Sequence, residues 1–130
     1  GACEATGTTF KTSIYECPYE DTLVNYGLAD MLKEKYELLG LEDIEPVNEK
    51  GGGSTDVGSV SYVCPTVQGG IKIAEDWVTG HSKELAAATV SEEGKQALNN
   101  ASKAIAYVAY DLIVNKDLLK EVKDEFEKSK

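Results

Sequence analysis

From Thr8 to Glu16 (TTFKTSIYE), Phe10 and Ile14 fall on one side of an alternating run, with Thr9, Lys11 and Ser13 on the other. A period of two marks a half-buried strand, and Cys17-Pro18 ends it. The period then lengthens. Over Asp21 to Leu39, Val24, Leu28, Met31 and Leu32 form one stripe and predict a helix, with Asp21 as its cap and Gly40 as a left-handed stop. Glu42 to Lys50 is polar and interrupted by Pro46, a connection with room for one short strand. After a glycine-rich loop, Val60 to Cys64 reads as a strand stopped by Pro65, and Ile71 to Ala74 as another.

The rest is helical in period. Lys83 to Thr89 is alanine-rich around a single Leu85 and predicts a small helix. Ser91 caps a long one, with Glu92 and Glu93 in its first turn where the helix dipole favours negative charge. Its stripe is Leu98, Ala101, Ile105, Val108 and Leu112, flanked by Ala104 and Ala109, and Asn115 breaks it. The last helix, Asp117 to about Lys128, carries Leu118, Leu119, Val122 and Phe126. Strands mixed with long amphipathic helices predict the α/β class, or α+β. The strands are few for a complete sheet, and Thr8 to Glu16 arrives with nothing ahead of it to pair with. The expected object is the C-terminal part of something larger.

At 130 residues the chain fits one domain or part of one. Its net charge is -10 and all 13 basic residues are lysines. Nucleic-acid binders need a basic face and favour arginine for reading bases, so DNA and RNA are excluded as expected partners. The acidic surface disfavours anionic membranes, no apolar run approaches the ~20 residues of a membrane span, and no signal-peptide pattern is present. Lys116 to Lys130 interleaves acids and reads as a solvated helix face. Cys3, Cys17 and Cys64 make an odd, widely spaced set, neither a disulfide framework nor a zinc knuckle. Cys64 is read as a small core residue, and the balance favours a reducing cytoplasm.

Candidate chemistry centres on His81, the one histidine, in Gly80-His81-Ser82-Lys83-Glu84. Imidazole is a common zinc ligand, but a catalytic zinc normally takes three protein ligands. Either His81 is an ordinary surface or hydrogen-bonded histidine, or the remaining ligands lie on other polypeptide. Glu84, one turn along, could fix its tautomer, as could Asp56. Upstream, Gly51-Gly52-Gly53 leads towards a strand without the lysine of a phosphate loop. It is either a surface loop or a place where Ser54, Thr55 and Asp56 face a substrate. There is no H-E-x-x-H, no H-x-D and no nucleophile elbow, so no residue here is assigned as catalytic. Trp77, Tyr62, Tyr107 and Tyr110 are read as core or rim packing.

Gly53-Ser54-Thr55-Asp56-Val57-Gly58-Ser59-Val60-Ser61-Tyr62-Val63-Cys64-Pro65-Thr66-Val67-Gln68 resembles a signature of the di-zinc amidohydrolase and peptidase family that includes aminoacylase, carboxypeptidase G and p-aminobenzoyl-glutamate hydrolase, the last being nearest in pattern. Gly80-His81-Ser82 resembles the family's late ligand motif, and Ala101 to Ala106 with Asp111-Leu112-Ile113 resembles its tail. Tyr19 to Gly40 resembles the helix returning from an inserted lid domain. Val90 to Lys95 departs from the family's usual Gly-His-Lys segment.

The resemblance implies that residues 1–16 end the lid (dimerisation) domain with its last strand, and that 17–130 are the C-terminal part of a metallopeptidase catalytic domain. It implies His81 as a metal ligand, Gly53, Ser54, Thr55 and Asp56 as substrate-binding residues, and Glu84 as a supporting carboxylate. Two divalent metals are implied for the parent enzyme, zinc foremost, with manganese or cobalt as alternatives. Its implied substrate is a small amide or peptide: an N-acyl amino acid, an aminobenzoyl-glutamate-like compound or a short peptide. The parent would be a homodimer, and this chain, lacking the N-terminal part of the same enzyme, inactive alone. The rival expectation is a non-catalytic binding module with a structural histidine. A His81 ring that both points out into solvent and lies remote from the triple-glycine bend would overturn the hydrolase reading.

Overall fold

The computed structural model describes residues 1–42, 44, 53–75 and 77–130. Among them the chain forms six helices: α1 (Ala2–Thr6), α2 (Tyr26–Leu38), α3 (Val57–Ser61), α4 (Lys83–Thr89), α5 (Glu92–Val114) and α6 (Lys116–Ser129). Most of the predicted connection from Glu42 to Lys50, with Gly51 and Gly52, lies outside the described residues.

The helix ends follow local chemistry. α2 begins not at Asp21 but at Asn25, whose Oδ1 accepts the amide of Leu28 at 2.9 Å. Asp21 is otherwise engaged, accepting the Tyr62 hydroxyl at 2.7 Å. At the other end Gly40 takes φ 74°, and the Gly40 and Leu41 amides donate to the carbonyls of Glu37 and Tyr36, each at 3.0 Å. This is the Schellman arrangement, and it closes the helix where the glycine predicts. Ser82, Ser91 and Asn115 cap α4, α5 and α6 by accepting amides of the first turn.

The α/β expectation is wrong for this chain: no strand occurs among the described residues. Thr8 to Glu16 has no ladder partner and no regular structure, and its strand-like face is bare, with Phe10 and Ile14 exposed. The segment read as strand Val60–Cys64 instead begins inside α3 and continues as a turn, where the amides of Val63 and Cys64 both return to the carbonyl of Val60. Ile71 to Ala74 likewise lacks a ladder. The cause is common to all three. A strand needs a neighbour to satisfy its amides and carbonyls, whereas a helix or turn satisfies them locally. Cys64 is exposed rather than core, and Trp77, Tyr62, Tyr107 and Tyr110 are exposed too.

The core lies where α2 crosses α5 and α6. Leu28, Met31, Leu32 and Tyr36 of α2 pack with Ala104 and Val108 of α5 and Val122 of α6, and Leu39, Leu41, Ile44, Val67, Leu112 and Leu118 close its edges. Burial in this core pushes the Tyr36 phenol above the ordinary tyrosine range. α4 packs on α5. The buried line of α5 is turned from the predicted stripe: Gly94, Ala97, Ala104 and Val108 are inside, while Leu98 and Ile105 are outside. Lys35 and Asp111 add a partly buried ion pair between α2 and α5.

Asn25 joins these parts. It is buried at 3% exposure, its Nδ2 donates to the carbonyl of Val122 at 3.0 Å, and its amide donates to that of Thr66 at 3.3 Å. Asn25→Ala removes a cap and the bond to the Val122 carbonyl, so urea unfolding should show a loss of about 2 kcal/mol. Gly40→Ala has open space for its Cβ and should lose only about 1 kcal/mol, from the left-handed backbone alone.

Candidate functional site

Thr55 and Asp56 bring the chain into α3. Thr55 Oγ1 accepts the Val57 amide at 3.3 Å, and Asp56 holds the cap position with its carboxylate exposed and making no capping bond. Gly53 and Ser54, just before, are exposed. The anchor lies one turn on. Gly58 is pressed so closely on the backbone of Glu20 that a Cβ there would collide with the Glu20 carbonyl oxygen. Ser61, 1% exposed, donates to the Gly58 carbonyl at 2.6 Å and accepts the Leu23 amide at 2.8 Å. The conspicuous glycines and serines of the Gly53 to Gln68 motif therefore include two docking residues, Gly58 and Ser61. The four named for substrate stand at its exposed or half-exposed end.

His81 sits in the turn before α4. Its side chain is exposed, and its backbone has φ 55°, the single positive value at a non-glycine among the described residues. Left-handed backbone strains a residue with a Cβ, although histidine tolerates it better than most. The turn is locked on its downstream side: Ser82 Oγ donates to the Thr79 carbonyl at 2.7 Å and accepts the Leu85 amide at 3.0 Å. Glu84 is exposed in the first turn of α4. Part of the triple-glycine bend falls outside the described residues, so its spacing from His81 does too.

Two zinc-type metals need several converging ligands. Among the described residues no three His, Cys, Asp or Glu side chains come together, so the described residues do not on their own fit such a centre. A shallow, open depression of about 520 Å³ lies elsewhere, between the start of α2 and α6, lined by Val24, Tyr26, Glu121, Asp124 and Glu125 among others. None of the sequence-predicted site residues lines it. Its Glu125 carboxylate already caps α2, accepting the amides of Tyr26 at 2.7 Å and Gly27 at 2.9 Å, so it is read as structural. No helix among the described residues is long and apolar enough to cross a membrane.

No family model matches the chain. Two curated relatives do. Xaa-Arg dipeptidase of Mus musculus is 31% identical over 127 residues, covering 96% of this chain and 29% of the relative. Xaa-Arg dipeptidase of Homo sapiens is 29% identical over 127 residues, with the same shares. The chain is thus similar, at about three residues in ten, to part of each of these dipeptidases. It spans less than a third of their length, and that stretch takes in the 53–56 loop, His81 and Glu84. Both relatives bear the name of a dipeptidase, and neither is p-aminobenzoyl-glutamate hydrolase, the enzyme nearest in the sequence pattern.

The hydroxyl of Tyr62 reports how α3 is docked. Its bond to Asp21, then slight burial and the negative charges of Asp21 and Glu20, hold the phenol above the ordinary tyrosine value of 10.0. The neutral phenol is favoured in the folded state. Its contribution is therefore complete below the unfolded tyrosine pKa and lost as pH rises through the raised one. An alkaline absorbance titration should show Tyr62 and Tyr36 ionising late. Asp21→Ala should return one of these two to the ordinary range, and Tyr62→Phe should remove it.

Proposed function

We propose that this chain is one part of a larger metal-dependent amidohydrolase or peptidase that cleaves an amide bond in a dipeptide or similarly small acyl-amino compound. N-acyl amino acids and aminobenzoyl-glutamate-like compounds belong to the same class. Residues 1–16 would end an inserted lid domain and 17–130 belong to the catalytic domain. His81 is assigned as a single ligand in a centre of two divalent metals, zinc before manganese or cobalt, whose other ligands lie on polypeptide this chain does not carry. Gly53, Ser54, Thr55 and Asp56 are assigned to substrate, and Glu84 to orienting His81. The enzyme is assigned to a reducing cytoplasm, which suits three free cysteines.

The observation that carries this reading is the match to two Xaa-Arg dipeptidases along almost the entire chain. The backbone at His81 supports it. A strained residue whose exposed side chain does nothing for the fold is the kind of position retained for function. The same exposure favours the competing reading, a non-catalytic module with a surface histidine, and activity measurements separate the two.

In the full-length enzyme, His81→Ala should reduce hydrolysis of Xaa-Arg dipeptides by at least about a hundredfold with the fold retained. Undiminished turnover would reject the ligand assignment. The isolated 130-residue chain should show neither hydrolysis nor tight stoichiometric zinc binding by calorimetry. In that isolated chain, His81→Gly should raise stability by up to about 1 kcal/mol, because glycine accepts the left-handed backbone without strain.

A further inference from the structure

Helix α5 carries more apolar surface than this fold covers. Its buried line of Gly94, Ala97, Ala104 and Val108 serves the contacts with α2, α4 and α6. At ~100° per residue, Leu98, Ser102, Ile105, Ala106, Ala109 and Ile113 form an adjoining stripe. All six are exposed, with Leu98 at 69%, Ile105 at 62% and Ile113 at 77%. None is charged, although the chain as a whole has a net charge of -10. The stripe runs about 22 Å along the helix. An uncharged face of this length, continuous with the buried one, belongs to a helix packed on two sides.

We infer that this stripe is the docking face for the polypeptide that completes the peptidase, corresponding to the greater share of the relatives' length outside the 127-residue match. The inference rests on the proposed function. Apolar packing is what an uncharged face selects, and Ala106 and Ala109 let a partner backbone approach closely. A second copy of this chain is the weaker occupant, because two bodies of charge -10 repel.

The test co-expresses this chain with mouse Xaa-Arg dipeptidase from which the matched segment has been deleted. Association is read by light scattering, and side-chain cover by hydroxyl-radical footprinting. The wild-type chain should form an equimolar complex in which Leu98, Ile105 and Ile113 lose reactivity, while Leu38, also exposed, does not. The double variant Leu98→Lys, Ile105→Lys should weaken association by at least about tenfold, yet leave the melting of the isolated chain unchanged. Failure of the wild-type chain to associate would overturn the inference. So would association that leaves the stripe reactive, or a homodimer of this chain that the double variant dissolves. A complex that protects the stripe but cleaves no dipeptide, N-acyl amino acid or aminobenzoyl-glutamate upholds the docking face and rejects the peptidase reading.

Discussion

One buried amide side chain holds the helices in register. Asn25 spends its acceptor on the first turn of α2 and its donor on the carbonyl of Val122, 97 residues away. Its own backbone reaches Thr66. Both side-chain groups are matched, as burial demands of polar atoms. Glu125 reinforces the same junction by bridging the next two amides of α2 from α6. The start of α2 is thereby bound to the end of the chain by directional bonds, and the apolar residues of α2, α5 and α6 meet in one arrangement.

The segments bearing the candidate site hang from this frame at a few points. Gly58 and Ser61 pin α3 against residues 20–23, and Ser82 locks the turn that carries His81. These anchors act on the backbone. They leave Ser54, Asp56, His81 and Glu84 facing solvent, available to whatever packs beside them. A rigid support under exposed polar residues is how loops commonly carry binding and catalysis. Among the described residues no three metal-binding side chains are gathered into a centre.

Much of the helical architecture was legible in the residues. The small helix after His81, the Ser91 cap, the Asn115 break and the Gly40 stop are written in local hydrogen-bonding preferences, which act within one turn. The alternation at Phe10 and Ile14 was equally plain and yet produced no strand, because pairing is a property of two segments. Leu98 and Ile105 read as core by period, and they still mark a face suited to burial. Asn25 was visible only as part of a resemblance. A lone asparagine near a predicted helix start gives no sign of a carbonyl that comes to it from the far end of the chain.

Local order, then, came in good part from the amino acids: the Ser91 cap, the Asn115 break and the left-handed stop at Gly40. Long-range order did not. Which of two apolar sides of α5 is covered, which of Asp21 and Asn25 caps α2, and whether His81 meets other ligands all depend on what stands across from them. Backbone hydrogen bonds within a turn are satisfied by neighbours a few residues away, so a linear reading can find them. Burial and coordination are satisfied by groups remote in sequence, and their partners become known when the chain has folded against them.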